Sequence, residues 1–437
     1  MSPVEIGALS VVAIVALIYL GVYIPVALAS VSFVTIWLVS GKPILAVNFL
    51  RTAVVDSVTE YEFATIPLFT FMGLLVSKAG IGTDIYRVMN QLFRSIRGGI
   101  GMATVGANAV FAAVTGSSIA SASVFARVSV PEMLKLDYNR RFAVGVVAGS
   151  SVLGMIIPPS AMLIIYSFVA EVSIGHMFIA GIIPGIILAG AFIIQIALMG
   201  RFMPGAVGGR TLETPKHEML GVPQLLAYTL PIGALIFVVL GGIYTGWMTP
   251  VEAGAVGSAM AIAIAAGRRR MTLRGFWEAL LETGHITAAI LFLITTASLY
   301  ARMLGYVDLP NELRFFLEAQ DLSFVWIMVG YVILMLFLGT LLDTASIILI
   351  VVPLFIGIIE ELNMSLIWFG IVTVIGAEIG LLTPPLGISC FVIKATLNDD
   401  RISLKDVFMG AFPFACVMLV VLILLIRFPE LSIWLLQ

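Results

Sequence analysis

Charge is the scarcest commodity in this sequence: 11% of its 437 residues are charged, against 61% hydrophobic side chains and a mean hydropathy of +1.13. An average soluble domain carries about 25% charged residues, so an ordinary water-soluble enzyme is excluded. The few charges also lack a bias of sign. With 23 Lys and Arg against 25 Asp and Glu the net charge is −2, which argues against nucleic acid as a partner. Cysteine is nearly absent, and Cys390 and Cys416 both lie in apolar sequence, where they read as small buried hydrophobes and supply no disulfide or metal framework. His176, His217 and His285 are scattered, which removes a zinc centre. No His-Glu-x-x-His or Gly-x-Ser-x-Gly occurs, and Asp343 has no partner aspartate, so an intramembrane protease has no catalytic set.

What the chain has is long apolar runs. Spanning a bilayer takes about 20 apolar residues, and such runs fall near 4–20, 24–40, 63–80, 177–200, 224–241, 250–266, 285–304 and 406–427. Four further runs are interrupted. Thr115-Gly116-Ser117-Ser118 breaks 100–130, and Gly339-Thr340 with Asp343-Thr344 breaks 322–359; each half reads as too short to cross alone, so each pair is expected to enter and leave on one side. Ile157-Pro158-Pro159-Ser160 breaks 142–170 and Leu382-Thr383-Pro384-Pro385-Leu386 breaks 365–395. Proline removes a donor and clashes with the preceding turn, so these are expected to be helices unwound at mid-membrane. Irregular backbone at that depth is tolerated only against protein or a water-filled cavity, which implies a central cavity.

Basic residues test the topology, since Lys and Arg concentrate in cytoplasmic loops. If each hairpin crosses zero times and each broken helix once, one side holds Arg87, Arg94, Arg97, Lys135, Arg140, Arg141, Arg201, Arg210, Lys216, Arg268, Arg269, Arg270, Arg274, Lys394, Arg401 and Lys405. The other side holds only Lys42, Arg51 and Arg314. This split predicts ten crossings, two hairpins and both termini outside the cytoplasm, the N-terminal segment being a retained span. The order crossing, crossing, amphipathic connector, crossing, hairpin, broken helix, crossing runs once over about 1–205 and again over about 222–437. An odd number of crossings per half inverts the second copy, the arrangement many secondary transporters use to place a site between broken helices. The expected fold is therefore an all-α polytopic membrane protein with an inverted-topology repeat, two re-entrant hairpins and two broken helices.

Gly116-Ser117-Ser118-Ile119-Ala120-Ser121, Ile157-Pro158-Pro159-Ser160, Thr249-Pro250-Val251-Glu252-Ala253 and Thr383-Pro384-Pro385-Leu386-Gly387 together resemble the large membrane subunit of TRAP (tripartite ATP-independent periplasmic) transporters, across essentially the whole chain. The resemblance implies an elevator-type ion-transporter fold, sodium-driven uptake of a small carboxylate across the bacterial inner membrane, a periplasmic substrate-binding protein, and a separate small membrane subunit of roughly four helices. A stand-alone sodium/carboxylate symporter of the same superfamily is the alternative. Those carriers tend to have Ser-Asn-Thr at hairpin tips, which this chain lacks.

Sodium, Na+, as coupling ion needs hard oxygen ligands, which an unwound helix offers as free carbonyls. One sodium site is expected from Gly116, Ser117 and Ser118 facing Gly154 and Pro158, a second from Gly339, Thr340 and Asp343 facing Gly380, Thr383 and Pro385. Half-helix N-termini between them suit a carboxylate, with Ser118, Ser160, Thr344 and Arg302 as substrate contacts. Each piece has a plainer reading. Gly-Ser-Ser also suits close helix packing, Pro-Pro a simple kink, Asp343 a helix cap, Arg127 and Arg302 snorkelling to an interface, and Glu252 and Glu378 hydrogen bonding to nearby backbone. Arg268-Arg269-Arg270 reads as a topology anchor, and 43–60 and 271–284 as interfacial scaffold arms. Movement is expected to divide the chain into scaffold, 1–84, 171–304 and 396–437, and transport halves, 85–170 and 305–395.

Overall fold

Glycine, proline and capping side chains decide where the helices of this chain stop. The computed structural model describes residues 2–208, 220–385 and 387–436; Arg210, Lys216, His217 and Leu386 lie outside the described residues. The first half runs through Pro3–Tyr19, Ile24–Ser40, the arm Pro43–Thr59, the span Thr65–Lys78, and then Ile81–Phe93, bent by 65° from the span at Gly80 (φ +70°). The first hairpin follows as Gly99–Thr115 and Ser118–Lys135, then a broken helix, Arg140–Ile156 and Ala161–Ala170 bent by 43°, and the span Ile174–Phe202. The second half repeats the order: Val222–Tyr244, Pro250–Gly267, Leu273–Tyr306, the amphipathic Leu309–Ala319, a hairpin of Phe324–Gly339 and Thr344–Glu361, a broken helix of Leu366–Gly380 and Ile388–Leu397, and Leu404–Arg427.

The two halves keep register through the functional region. Asn139 and Ser365, Ser117 and Asp343, Ser118 and Thr344, Gly154 and Gly380, and Pro158 and Pro384 are each 226 residues apart. Matching positions also take matching roles. Ser117 and Asp343 are the N-caps of the second arms of their hairpins, and Asn139 and Ser365 those of the broken helices.

Two expectations about length are corrected. The second arm of the second hairpin, Thr344–Glu361, has 18 residues and is apolar enough to cross a membrane by itself, so shortness is not what makes it re-entrant. Its cap at Asp343 and the packing of Gly339 on the broken helix fix the turn instead. The arm at 271–284 is not separate from the span at 285–304: Thr272 caps one 34-residue helix, Leu273–Tyr306, because Gly284 lowers helix propensity without ending a helix. Among the described residues six helices, Thr344–Glu361 included, are long and apolar enough to cross a membrane, and up to eight if each bent pair counts as one span. Pro3–Tyr19 and Ile24–Ser40 are apolar helices of 17 residues each, at the short end of the range for a span.

Packing sorts the helices into two groups. Arms and spans of residues 1–78 pack on Pro250–Gly267 and Leu273–Tyr306. Hairpins and broken helices pack with Ile174–Phe202 and Leu404–Arg427. Leu404–Arg427 lies so close to Arg140–Ser151 that a Cβ on Gly410 would meet the Gly145 Cα at 3.0 Å. Arg141 and Asp406 pair at 2.9 Å, and the Trp368 indole donates to the Leu425 carbonyl at 2.8 Å. Small residues let helices meet in lipid, where no hydrophobic force distinguishes one greasy partner from another.

Candidate functional site

At the first hairpin tip, Gly116 takes φ +58° and ends the descending arm, and Ser117 turns extended to cap the ascending one, accepting from the Ala120 amide at 3.3 Å. The facing helix stops at Ile157, which is extended as a residue before proline must be. Tip and break then touch through backbone. A Cβ on Gly154 would lie 2.7 Å from the Ser117 carbonyl carbon, and the Ala161 amide donates to the Gly116 carbonyl at 3.4 Å. Ser160 caps the second half-helix, Ala161–Ala170, and donates its hydroxyl to the Met155 carbonyl at 2.6 Å. The structure thus brings together Gly116, Ser117, Ser118, Gly154, Pro158 and Ser160, with Ser118 and Ser160 buried. Two further polar residues on the same hairpin, Asn108 outside the quoted motifs and Ser121 at the end of one, are buried as well. Asn108 donates to the Ser150 hydroxyl at 2.6 Å, and its carbonyl oxygen and the Ser121 hydroxyl are buried without a partner among the described residues.

The second site is built the same way and is more charged. A Cβ on Gly339 would sit 2.7 Å from the Gly380 Cα, so the hairpin and broken helix meet at glycine on both sides. Asp343 caps Thr344–Glu361, accepting from the Ser346 amide at 3.4 Å and from the Ser346 hydroxyl. Thr383 donates its hydroxyl to the Gly380 carbonyl at 2.7 Å, and Thr340 donates to Phe337 at 2.8 Å. Thr344 donates to Glu378 at 2.7 Å, joining hairpin to helix. Gly339, Thr340, Asp343, Gly380 and Thr383 therefore gather at one junction, with Pro385 in the break beyond it. Glu252 belongs elsewhere: with Thr249 it forms a capping box, its carboxylate accepting from the Thr249 amide at 2.8 Å.

Arg302 is not brought to this junction. It pairs with Asp56 in a vestibule of about 560 Å³ that is also lined by Glu60, Glu62, Glu171, Phe168 and Ser298. None of Ser118, Ser160 and Thr344 lines that vestibule. Partial burial, then the charge of Glu60, raises the Glu62 carboxyl above the usual carboxylate range. A second, apolar chamber of about 30 Å³ lies against the first tip, walled by Phe69, Val114, Gly116, Pro159, Ile164 and Ile290. Arg127 is exposed on its hairpin arm, as an interfacial side chain would be. Arg268 and Arg270 do more than anchor topology, since both pair with Asp84, which is buried in the bent arm.

The family model for the DctM component of tripartite ATP-independent periplasmic transporters matches residues 11–431. The chain is 30% identical over 394 residues to the C4-dicarboxylate TRAP transporter large permease protein DctM of Pseudomonas aeruginosa, covering 89% of each chain. It is 28% identical to the sialic acid TRAP transporter large permease protein SiaM of Vibrio cholerae, again over 89% of each. In fold it resembles the YdaH transporter of Alcanivorax borkumensis, with a TM-score of 0.64 at 14% identity over 89% of this chain and 88% of that one. MtrF of Neisseria gonorrhoeae gives 0.61 at 13% over 87% and 84%. With hairpins, breaks and packing agreeing with a match along nearly its whole length, the chain belongs to the DctM family, the large permease component of TRAP transporters.

Proposed function

We propose that this permease imports a small organic anion through the bacterial inner membrane, driven by sodium, with an elevator motion and both termini on the periplasmic side. The observation that carries the reading is the pair of hairpin tips, each closed through glycine on a helix break at the same register of an inverted repeat. Such junctions supply carbonyl and hydroxyl oxygens for sodium and half-helix N-termini for an anion. Sodium ligands are drawn from Gly116, Ser117, Ser118, Gly154 and Pro158 in one site, and from Gly339, Thr340, Asp343, Gly380, Thr383 and Pro385 in the other. Ser118, Ser160 and Thr344 face the anion, while Arg302 acts earlier, in the vestibule. As for the substrate, relatives are named for C4-dicarboxylates, sialic acid and isethionate. These share a small acid with a permanent negative charge, and a half-helix N-terminus recognises that charge whether it is a carboxylate or a sulfonate.

Membership of the family also favours a tripartite assembly over a stand-alone symporter, with a small membrane subunit and a soluble binding protein as partners. The mobile unit is taken to be the two hairpins and broken helices together with Ile174–Phe202 and Leu404–Arg427, as their packing supports. The test is substrate uptake into proteoliposomes holding this chain and its small subunit. Uptake is expected only with an inward sodium gradient and the cognate binding protein present. Equal uptake with potassium in place of sodium overturns the coupling.

A further inference from the structure

Glu378 has no exposed surface and lies two residues before the end of Leu366–Gly380. Its Oε1 accepts from Thr344, but among the described residues Oε2 has no partner and no ion pair includes this side chain. A buried carboxylate at membrane depth is expensive unless something positive answers it. The repeat shows that packing does not demand it. Val152 occupies the equivalent position 226 residues earlier in the first half and is equally buried. The second half therefore carries a carboxyl group where the first half packs without one. The carboxyl group is also tied to the hairpin tip, because Thr344, which donates to Oε1, directly follows the N-cap Asp343.

We propose that Glu378 is a direct ligand of a hard monovalent cation at the second hairpin junction, so that this site is anionic where its counterpart in the first half is built from neutral groups. The inference rests on the sodium reading above and assigns it a residue outside the motifs. It has two consequences. The cation neutralises the carboxylate, so the junction closes favourably only when occupied, which guards against movement of an unloaded site. A carboxylate ligand also sets a high field strength, favouring sodium and lithium over potassium.

The experiment is thermal unfolding of the purified complex with its small subunit, titrated with NaCl, LiCl or KCl at constant ionic strength. Wild type is expected to be stabilised by sodium and lithium and not by potassium. Glu378→Gln keeps the shape and an acceptor for Thr344, and is expected to raise the half-stabilising sodium concentration by about tenfold to a hundredfold. An unchanged sodium titration in Glu378→Gln overturns this assignment and leaves the sodium reading standing. Wild type that responds to none of the three salts overturns both. If Glu378→Gln does not fold, Glu378→Asp retains the charge but draws it back by a methylene; a half-stabilising concentration raised several-fold supports the ligand role, and one equal to wild type contradicts it.

Discussion

Gly339 and Gly380 occupy positions where one extra carbon separates two halves of a site. Gly339→Ala places a Cβ 2.7 Å from the Gly380 Cα, and backbone has no rotamer with which to yield. We expect a loss of about 1–3 kcal/mol in stability and a larger loss of transport, measured by thermal unfolding beside uptake. A purely structural role would reduce both in step. Arg302 and Asp56 behave differently, since their side chains keep 38% and 53% of their exposure and water screens the pair. Asp56→Asn is expected to change stability by less than about 1 kcal/mol and to leave folding intact, while altering the apparent KM for the anion proposed to pass Arg302. An unchanged KM would remove Arg302 from the substrate path.

Elements were legible from the sequence where their ends carry a chemical signal. Pro158-Pro159 and Pro384-Pro385 mark both breaks, and Gly116-Ser117 and Asp343 mark both hairpin turns, because each combines a residue that stops a helix with one that caps the next. The continuous helix Leu273–Tyr306 was not legible, since its amphipathic start and apolar end look like two elements and nothing between them breaks the ladder. Contacts between distant segments were also hidden. The Asp84 clamp joins residues 184 and 186 positions apart, and the Thr344–Glu378 bond has partners that no local pattern pairs. The clamp yields a prediction at this scale. Asp84 is 1% exposed, and two arginines tie the bent arm to the loop after Pro250–Gly267. Removing one partner of such a buried cluster is destabilising by about 3–5 kcal/mol, so Asp84→Asn should lower the unfolding temperature far more than Asp56→Asn. Equal shifts would show that the clamp is solvated in the folded protein.

For the whole molecule, the inverted repeat was readable from the order of runs and the placement of basic residues, but membership of the two packing groups was not. Ile174–Phe202 and Leu404–Arg427 are apolar around most of their surface, and contacts such as Gly145 with Gly410 and Phe192 with Phe414 decide their neighbours. The elevator reading makes these contacts permanent and makes others transient. In a background with Cys390 and Cys416 replaced, a disulfide between Arg141→Cys and Asp406→Cys lies within the proposed mobile unit and should leave transport running. One between Gly73→Cys and Thr115→Cys joins the span Thr65–Lys78 to the first hairpin, where a Cβ on Gly73 would already lie 2.9 Å from the Thr115 Cα, and should arrest it. Transport surviving the second cross-link would contradict sliding of one group past the other. The central claim, sodium-driven import of an anion by this permease with its partners, is tested most directly by uptake into proteoliposomes under an imposed gradient. The account predicts accumulation with inward sodium and binding protein together, collapsing when either is withdrawn. Accumulation that persists with potassium replacing sodium on both sides would contradict it.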